Sequence, residues 1–244
     1  MAKKTVIISE DQLLITSKGE IIKAKELINS KHSLLQWNDS YMPAELESTE
    51  SIDSDLILIG GAQGRTITCN PNTVFLGNNY PIDGPNIKAI KVSRYLPLFG
   101  DLHLSQKELD YLGHSISHLQ GKRPNMHLTQ FIPATLSKLN RKSLSKIMDI
   151  LFNNGRVQHL DQNSKDILII LLSRLGKYFD GQTKHVATDI TGSLMLRNKK
   201  SKLTKNPTKT ENIRYIRSCK SGAMRIKFKD ADHAIIGSFI CQTS

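Results

Sequence analysis

GRTITCNPNTVFLGN runs from Gly64 to Asn78. It reads as a strand, a Pro71-Asn72 turn and a second strand, because a turn dipeptide separates two runs of β-favouring residues. Just upstream, DSDLILIGG supplies another strand, and Gly60 to Gly64 (GGAQG) supplies a turn. That turn lacks the Lys-Ser/Thr ending of a phosphate loop, and no helical pattern follows it. Nearer the N-terminus, TVIISEDQLLITSKGEIIKAKEL places two short apolar runs around the turn signal Ser17-Lys18-Gly19. Residues 5–99 are therefore expected to be mostly β, with IKAIKVS the one strand in a connector rich in Pro and Gly.

The periodicity then changes. LSQKELDYLGHSISHL opens with Ser105 and Glu108 at capping-box spacing, and Leu109, Leu112, Ile116 and Leu119 share a helical face. NRKSLSKIMDILFNNG puts Leu144, Ile147, Met148 and Leu151 on one face, with a stop expected at Gly155. NSKDILIILLSRLG predicts an apolar helix capped by Asn163 or Ser164 and ended at Gly176. GRVQHLD and KHVATDITGSLMLRN read as strands. From 213 the pattern is β again: GAMRIKFKD alternates Met224, Ile226 and Phe228 with Arg225, Lys227 and Lys229. DHAIIGSFICQ follows as strand, Gly237-Ser238 turn, strand.

The chain carries 34 Lys and Arg against 22 Asp and Glu, a net charge of +12. That excess favours a polyanionic partner, nucleic acid first. The charge is unevenly spread. Residues 39–55 hold Asp39, Glu45, Glu47, Glu50, Asp53 and Asp55 with no Lys or Arg, a candidate protein-facing segment. Residues 197–209 hold Arg197, Lys199, Lys200, Lys202, Lys205 and Lys209 with no acid, candidate phosphate contacts. No window of 18 consecutive apolar residues exists, so no membrane-spanning helix is expected. Cys69, Cys219 and Cys241 form no CxxC pair and suit a reducing compartment such as the cytoplasm; no secretory signal opens the chain. His114 and His118 share a helix face, but no third metal ligand is evident.

The order of these elements resembles an intein: a Hint splicing domain interrupted by a LAGLIDADG homing endonuclease domain. Four stretches carry the resemblance. IISEDQLLITSKGEIIKAKEL matches the opening element, with Asp11 and Gly19 in place and Ile7 at the nucleophile position. CNPNTVFL matches a Thr-x-x-His element, with Asn70 at the Thr and Thr73 at the His. DADHAIIGSFICQTS matches the closing element: His233 at the upstream His, Cys241 at the penultimate His, Gln242 at the terminal Asn and Thr243 at the nucleophile that follows. YLGHSISHL and IMDILFNNG resemble the two endonuclease helices, with Gly113 kept and the metal-binding acids falling on His118 and Asn154.

The resemblance implies an α+β fold: a discontinuous all-β Hint-like domain (1–99 and 211–244) with an inserted LAGLIDADG-like α+β domain (100–210). It also implies lost chemistry. An acyl shift needs a thiol or hydroxyl where Ile7 stands, and an acid/base where Thr73 stands. Hard Mg²⁺ prefers carboxylates to the His118 and Asn154 found at the acid positions. The expectation is a pseudoenzyme without cofactor that binds double-stranded DNA or serves as an accessory subunit of a polymerase or replisome. A divergent endonuclease using Mg²⁺, and residual processing at Gln242-Thr243, are the alternatives.

Overall fold

The computed structural model describes residues 4–76, 89–93, 95–96, 98–122, 136–152, 156–186, 189–197 and 208–243. In chain order the strands begin β1 (Thr5–Ser9), β2 (Leu13–Ile15) and β3 (Ile21–Lys23). A 3-10 turn at Ala24–Leu27 precedes β4 (Leu34–Trp37), β5 (Tyr41–Ala44), β6 (Leu46–Ile52), β7 (Leu56–Gly61), β8 (Thr66–Cys69) and β9 (Ala89–Ser93). Then come α1 (Gln106–Lys122), α2 (Arg141–Leu151), β10 (Arg156–Leu160), α3 (Gln162–Arg174), β11 (Tyr178–Val186) and β12 (Asp189–Arg197). The last strands are β13 (Thr208–Cys219), β14 (Ala223–Phe228), β15 (His233–Ile236) and β16 (Phe239–Gln242). The chain is mostly β, and it forms two compact units: Met1–Arg94 with Pro207–Ser244, and Tyr95–Asn206.

The first unit is built on an 11-stranded sheet in the order β5-β4-β15-β16-β9-β13-β7-β8-β1-β14-β6, with β2 and β3 as a separate hairpin. Every pairing in that sheet is antiparallel. β14 shows why. Met224, Ile226 and Phe228 are buried, and each such side chain contributes roughly 1.5–3 kcal/mol by leaving water. The alternate residues meet acids on β6 and beside it. Arg225 donates to Glu50 at 2.8 Å, and Lys229 donates to Glu45 at 2.9 Å. Two of the six acids in 39–55 are thus engaged within the fold. Gly19, Gly64 and Gly237 take φ of 83°, 83° and 59°, the left-handed values their turns require.

Two expectations change here. Among the described residues 73–76 no strand follows the Pro71-Asn72 turn; Phe75 makes a single antiparallel bridge to Cys241, flanked by the Gln242 amide on the Val74 carbonyl and the Leu76 amide on the Ile240 carbonyl. The expected boundary at 210/211 falls inside β13, which begins at Thr208. β13 pairs with β9 through Thr208–Asn212 and with β7 through Ile213–Cys219. A buried ion pair sits where it changes partner. Arg65 donates to Glu211 at 2.6 Å, with both side chains at most 2 % exposed.

In the second unit, Ser105 and Glu108 form the expected capping box at the start of α1, with Ser105 Oγ donating to the carboxylate at 2.6 Å. Leu144, Ile147, Met148 and Leu151 of α2 are buried. α1 and α2 pack closely at Gly113, where a Cβ would come within 2.7 Å of Ile150 Cδ1. The cap of α3 is Asp161, not Asn163 or Ser164. Its carboxylate accepts from the Ser164 amide at 2.9 Å and the Ser164 hydroxyl at 2.6 Å, so Ser164 is the partner of the cap. α3 is buried from Ile167 to Leu172, ends before Gly176 at φ 67°, and packs on the antiparallel sheet β10-β12-β11. Gly155 lies outside the described residues.

Candidate functional site

Ile7, the Asn70–Thr73 turn and Gln242 are far apart in sequence, and the fold brings them to one cleft of ≈ 250 Å³. Thr5, Val6 and Ile7 come from β1, and Asn70, Asn72 and Thr73 from the turn after β8. Gln242 comes from the end of β16.

The turn is what joins the two ends of the chain. Asn70, Pro71, Asn72 and Thr73 form a β-turn in which the Thr73 amide donates to the Asn70 carbonyl at 3.0 Å. Pro71 presets the φ of its second position. On one side, the Asn70 amide donates to the Ile7 carbonyl at 3.0 Å. On the other, the Gln242 amide donates to the Val74 carbonyl at 2.8 Å, and the Leu76 amide donates to the Ile240 carbonyl at 3.0 Å. Phe75 anchors the crossing, buried against Phe239 with ring centroids 6.1 Å apart.

The Asn70 carboxamide is committed to structure. Its oxygen accepts from the Asn72 amide at 2.9 Å, an Asx-turn contact, and its nitrogen donates to Ser54 Oγ at 3.0 Å. Thr73 is buried beside Cys69 and hydrogen-bonds it. Burial pushes the Cys69 thiol up to about 12, against the smaller lowering effect of Thr73. Cys241 is fully buried, and burial, then the neighbouring Cys69, raises its thiol well above the ordinary value. Burial favours the protonated thiol at both positions and keeps both side chains in the core. His233 stands opposite Gln242 in the β15–β16 ladder and does not line the cleft. The Thr243 hydroxyl donates to the Ala231 carbonyl. Asp11 is an exposed residue held by Lys23 and Lys25, each at 3.0 Å, which keep its carboxyl below the usual range.

No protein-family model matches the chain, and no curated protein does. Among solved structures it is similar to the Ssp DnaB mini-intein variant M86, at 11% identity and a TM-score of 0.49 over 100% of this chain and 97% of that one. It is also similar to a DnaB intein from Synechocystis sp. PCC 6803, at 12% identity and a TM-score of 0.42 over 98% of this chain and 99% of that one.

His118 falls within α1, and Arg197 is the last residue of β12. Asn154, Lys199, Lys200, Lys202 and Lys205 lie outside the described residues. Lys209 is not in a loop. It lies in β13, where its ammonium reaches Glu211 at 3.4 Å and donates to Gln63. Among the described residues no three His, Cys, Asp or Glu gather as a metal site, and no helix is long and apolar enough to cross a membrane.

Sequence reasoning missed Glu211, whose other carboxylate oxygen accepts from the Gln63 amide at 2.8 Å. Its one signal is the glycine at 61, since a Cβ there would run into the Glu211 carboxylate. The structural duties of Asn70 were also missed, although Asn-Pro-Asn is a turn signature that predicts them.

Proposed function

We propose that this chain is a splicing-type scaffold that no longer processes itself and that it acts by binding nucleic acid. In this reading the Met1–Arg94 and Pro207–Ser244 unit is Hint-like, and Tyr95–Asn206 is a LAGLIDADG-like insert. The target is double-stranded DNA, bound by the chain alone or as an accessory subunit of a polymerase or replisome.

The observation that carries the reading is the cleft. It unites Ile7, Asn70, Thr73 and Gln242, the positions at which the intein resemblance places the two junction chemistries. At two of them the required groups are gone. Isoleucine offers no nucleophile, and Thr73 offers no imidazole. The net charge of +12 supports the nucleic-acid half. Arg197, Lys199, Lys200, Lys202 and Lys205 are the proposed phosphate contacts; Lys209, held by Glu211 and Gln63, is left to the fold. The acidic segment 39–55 remains the proposed protein-facing surface through Asp39, Glu47, Asp53 and Asp55, while Glu50 and Glu45 are taken by Arg225 and Lys229.

A salt titration of binding to a mixed duplex pool, with Mg²⁺ present and products run on a gel, tests this reading alongside intact mass. Salt-sensitive binding, intact duplex and unchanged mass are expected. No binding at low salt removes the nucleic-acid half. Loss of residues at Gln242-Thr243 removes the unprocessed half. Cleaved duplex installs the second reading, a divergent endonuclease with Mg²⁺ on other acids, which the close α1–α2 contact at Gly113 favours.

A further inference from the structure

The cleft has an open strand edge along one side. β8 pairs with β1 at Ile8↔Cys69 and ends there, because the chain turns away at Asn70. Among the described residues no strand pairs with Thr5 or Val6 on that side, although β14 pairs with both on the other. Successive residues of a strand turn their amide and carbonyl to opposite edges. The Phe228 amide donates to the Lys4 carbonyl at 2.8 Å, so Lys4, Val6 and Ile8 face β14. The Asn70 amide donates to the Ile7 carbonyl at 3.0 Å, so Thr5 and Ile7 face the cleft. These two residues are spaced about 7 Å along the strand, a length that three residues of an added strand would cover.

Polar groups flank this edge. Asn72 and Gln242 line the cleft and are exposed, and their carboxamides make no hydrogen bond among the described residues. A carboxamide carries donors and an acceptor, the complement of a peptide group. Among the described residues no charged side chain lines the cleft, which suits a neutral main chain. Charge enters from the next strand. Lys227 stands directly opposite Thr5 on the same face and has no ion-pair partner among the described residues. Its neighbours on that face differ: Arg225 has Glu50 and Lys229 has Glu45. A strand added on the cleft side would lie two strand spacings from β14, about 10 Å, within the combined reach of a lysine and a glutamate side chain.

We infer that the cleft binds an extended acidic peptide, which adds to the Thr5–Ile7 edge of β1 as a short strand. The main chain of the peptide pairs with Thr5 and Ile7, the carboxamides of Asn72 and Gln242 hold its remaining peptide groups, and Lys227 selects an acidic side chain. This inference rests on the reading that the chain does not process itself, because cleavage before Ile7 would remove Thr5 and Val6 and with them the edge.

The test is amide NMR of the full chain titrated with acetyl-Ser-Val-Glu-Val-Ser-amide to about 1 mM, with intact mass taken at the end. The Thr5 and Ile7 amides and the side-chain amides of Asn72 and Gln242 are expected to shift. N-methylating either the glutamate or both valines of the peptide removes the donors of one edge or the other. One of these two peptides is expected to bind at least about fivefold more weakly. Lys227→Gln is expected to weaken binding about two- to fivefold with the shifts on the same residues. The edge is overturned if no shift appears at about 1 mM, or if both methylated peptides bind within about twofold of the parent. K227Q binding as tightly as wild type overturns the acidic preference. Adenosine monophosphate is titrated in parallel, because an adenine edge also suits carboxamides; shifts with it alone would replace the peptide by a nucleobase. Full mass without peptide shifts counts against this edge and leaves the proposed function standing, whereas loss of the residues before Ile7 removes the reading on which the edge rests.

Discussion

The Asn70 amide donates to the Ile7 carbonyl at 3.0 Å, and by that bond the turn after β8 is fastened to the first strand. The carboxamide of the same residue fastens the turn to Ser54. A residue standing where the resemblance asks for catalysis has become a clamp. Asn70→Ala keeps the backbone bond and loses the side-chain contacts to Asn72, Ser54 and the Asp55 carbonyl, so it should cost about 1–3 kcal/mol. Asn70→Asp keeps the acceptor for Asn72 and should cost less. Urea midpoints of the three proteins decide it; an N70A midpoint equal to wild type would remove the clamp.

The Arg65–Glu211 pair should behave as a buried ion pair does. Glu211→Leu alone leaves the Arg65 guanidinium at 2 % exposure without its carboxylate, an expected loss of about 3–5 kcal/mol. Combining Arg65→Met with Glu211→Leu in one chain should recover much of that loss, because the desolvation cost of both charges disappears with them. A double-mutant cycle in urea reads the coupling directly. Additive losses would mean that the two side chains do not act as a pair.

Thiol chemistry should separate the three cysteines. Cys69 and Cys241 are buried, and Cys219 is partly exposed. A thiol reagent at pH 8 should label Cys219 in the native protein and the other two after denaturation. The Cys69 thiol ordinarily titrates near 9.0 and is pushed up to about 12, so the folded state holds its proton more tightly than the unfolded state. The associated stability is complete below pH 9 and is lost as pH rises toward 12. Tyr41, also pushed up to about 12 by burial, adds to the loss above pH 10. Stability against pH should therefore fall from about pH 9 upward, and Cys69→Val should delay the fall. An unchanged alkaline limb in C69V would assign the fall to other groups.

Local signals were legible in the sequence and distant partnerships were not. The alternation of Met224, Ile226 and Phe228, the turn glycines at 19, 64 and 237, and the Ser105–Glu108 box each depend on a few adjacent residues. Four positions that the resemblance marks, Ile7, Asn70, Thr73 and Gln242, line one cleft together with Thr5, Val6 and Asn72. What stayed hidden involves long separations. Thr208 and Lys209 read as the end of a basic loop until β9 pairs with them, and Glu211 is explained only by Arg65 across the sheet. At α3, the adjacent Asn163 and Ser164 drew the expected cap two to three residues past Asp161, the residue that caps the helix. A run of polar residues allows several caps, and the carboxylate geometry at Asp161 selects one.

Installing the groups that the intein resemblance asks for is the most direct test of the proposed reading of the cleft. Ile7→Cys places a thiol next to the Val6 carbonyl, and Thr73→His places an imidazole in the same cleft. The thiol attacks that carbonyl and a C–S bond forms. The C–N bond joining Val6 to the introduced cysteine breaks, and the imidazole gives its proton to the leaving amine. Hydroxylamine then attacks the thioester and frees residues 1–6 as a hydroxamate, leaving a chain that begins with the new cysteine. Asn70 is left unchanged so that the clamp survives. Intact mass should show the loss in the I7C and T73H double variant, and about 10²–10⁴-fold more slowly in I7C alone, where no general acid assists. A folded double variant that keeps its full mass in hydroxylamine would mean that the cleft gathers these positions without holding them in a reactive arrangement, and the splicing-type reading of this unit would fall with it.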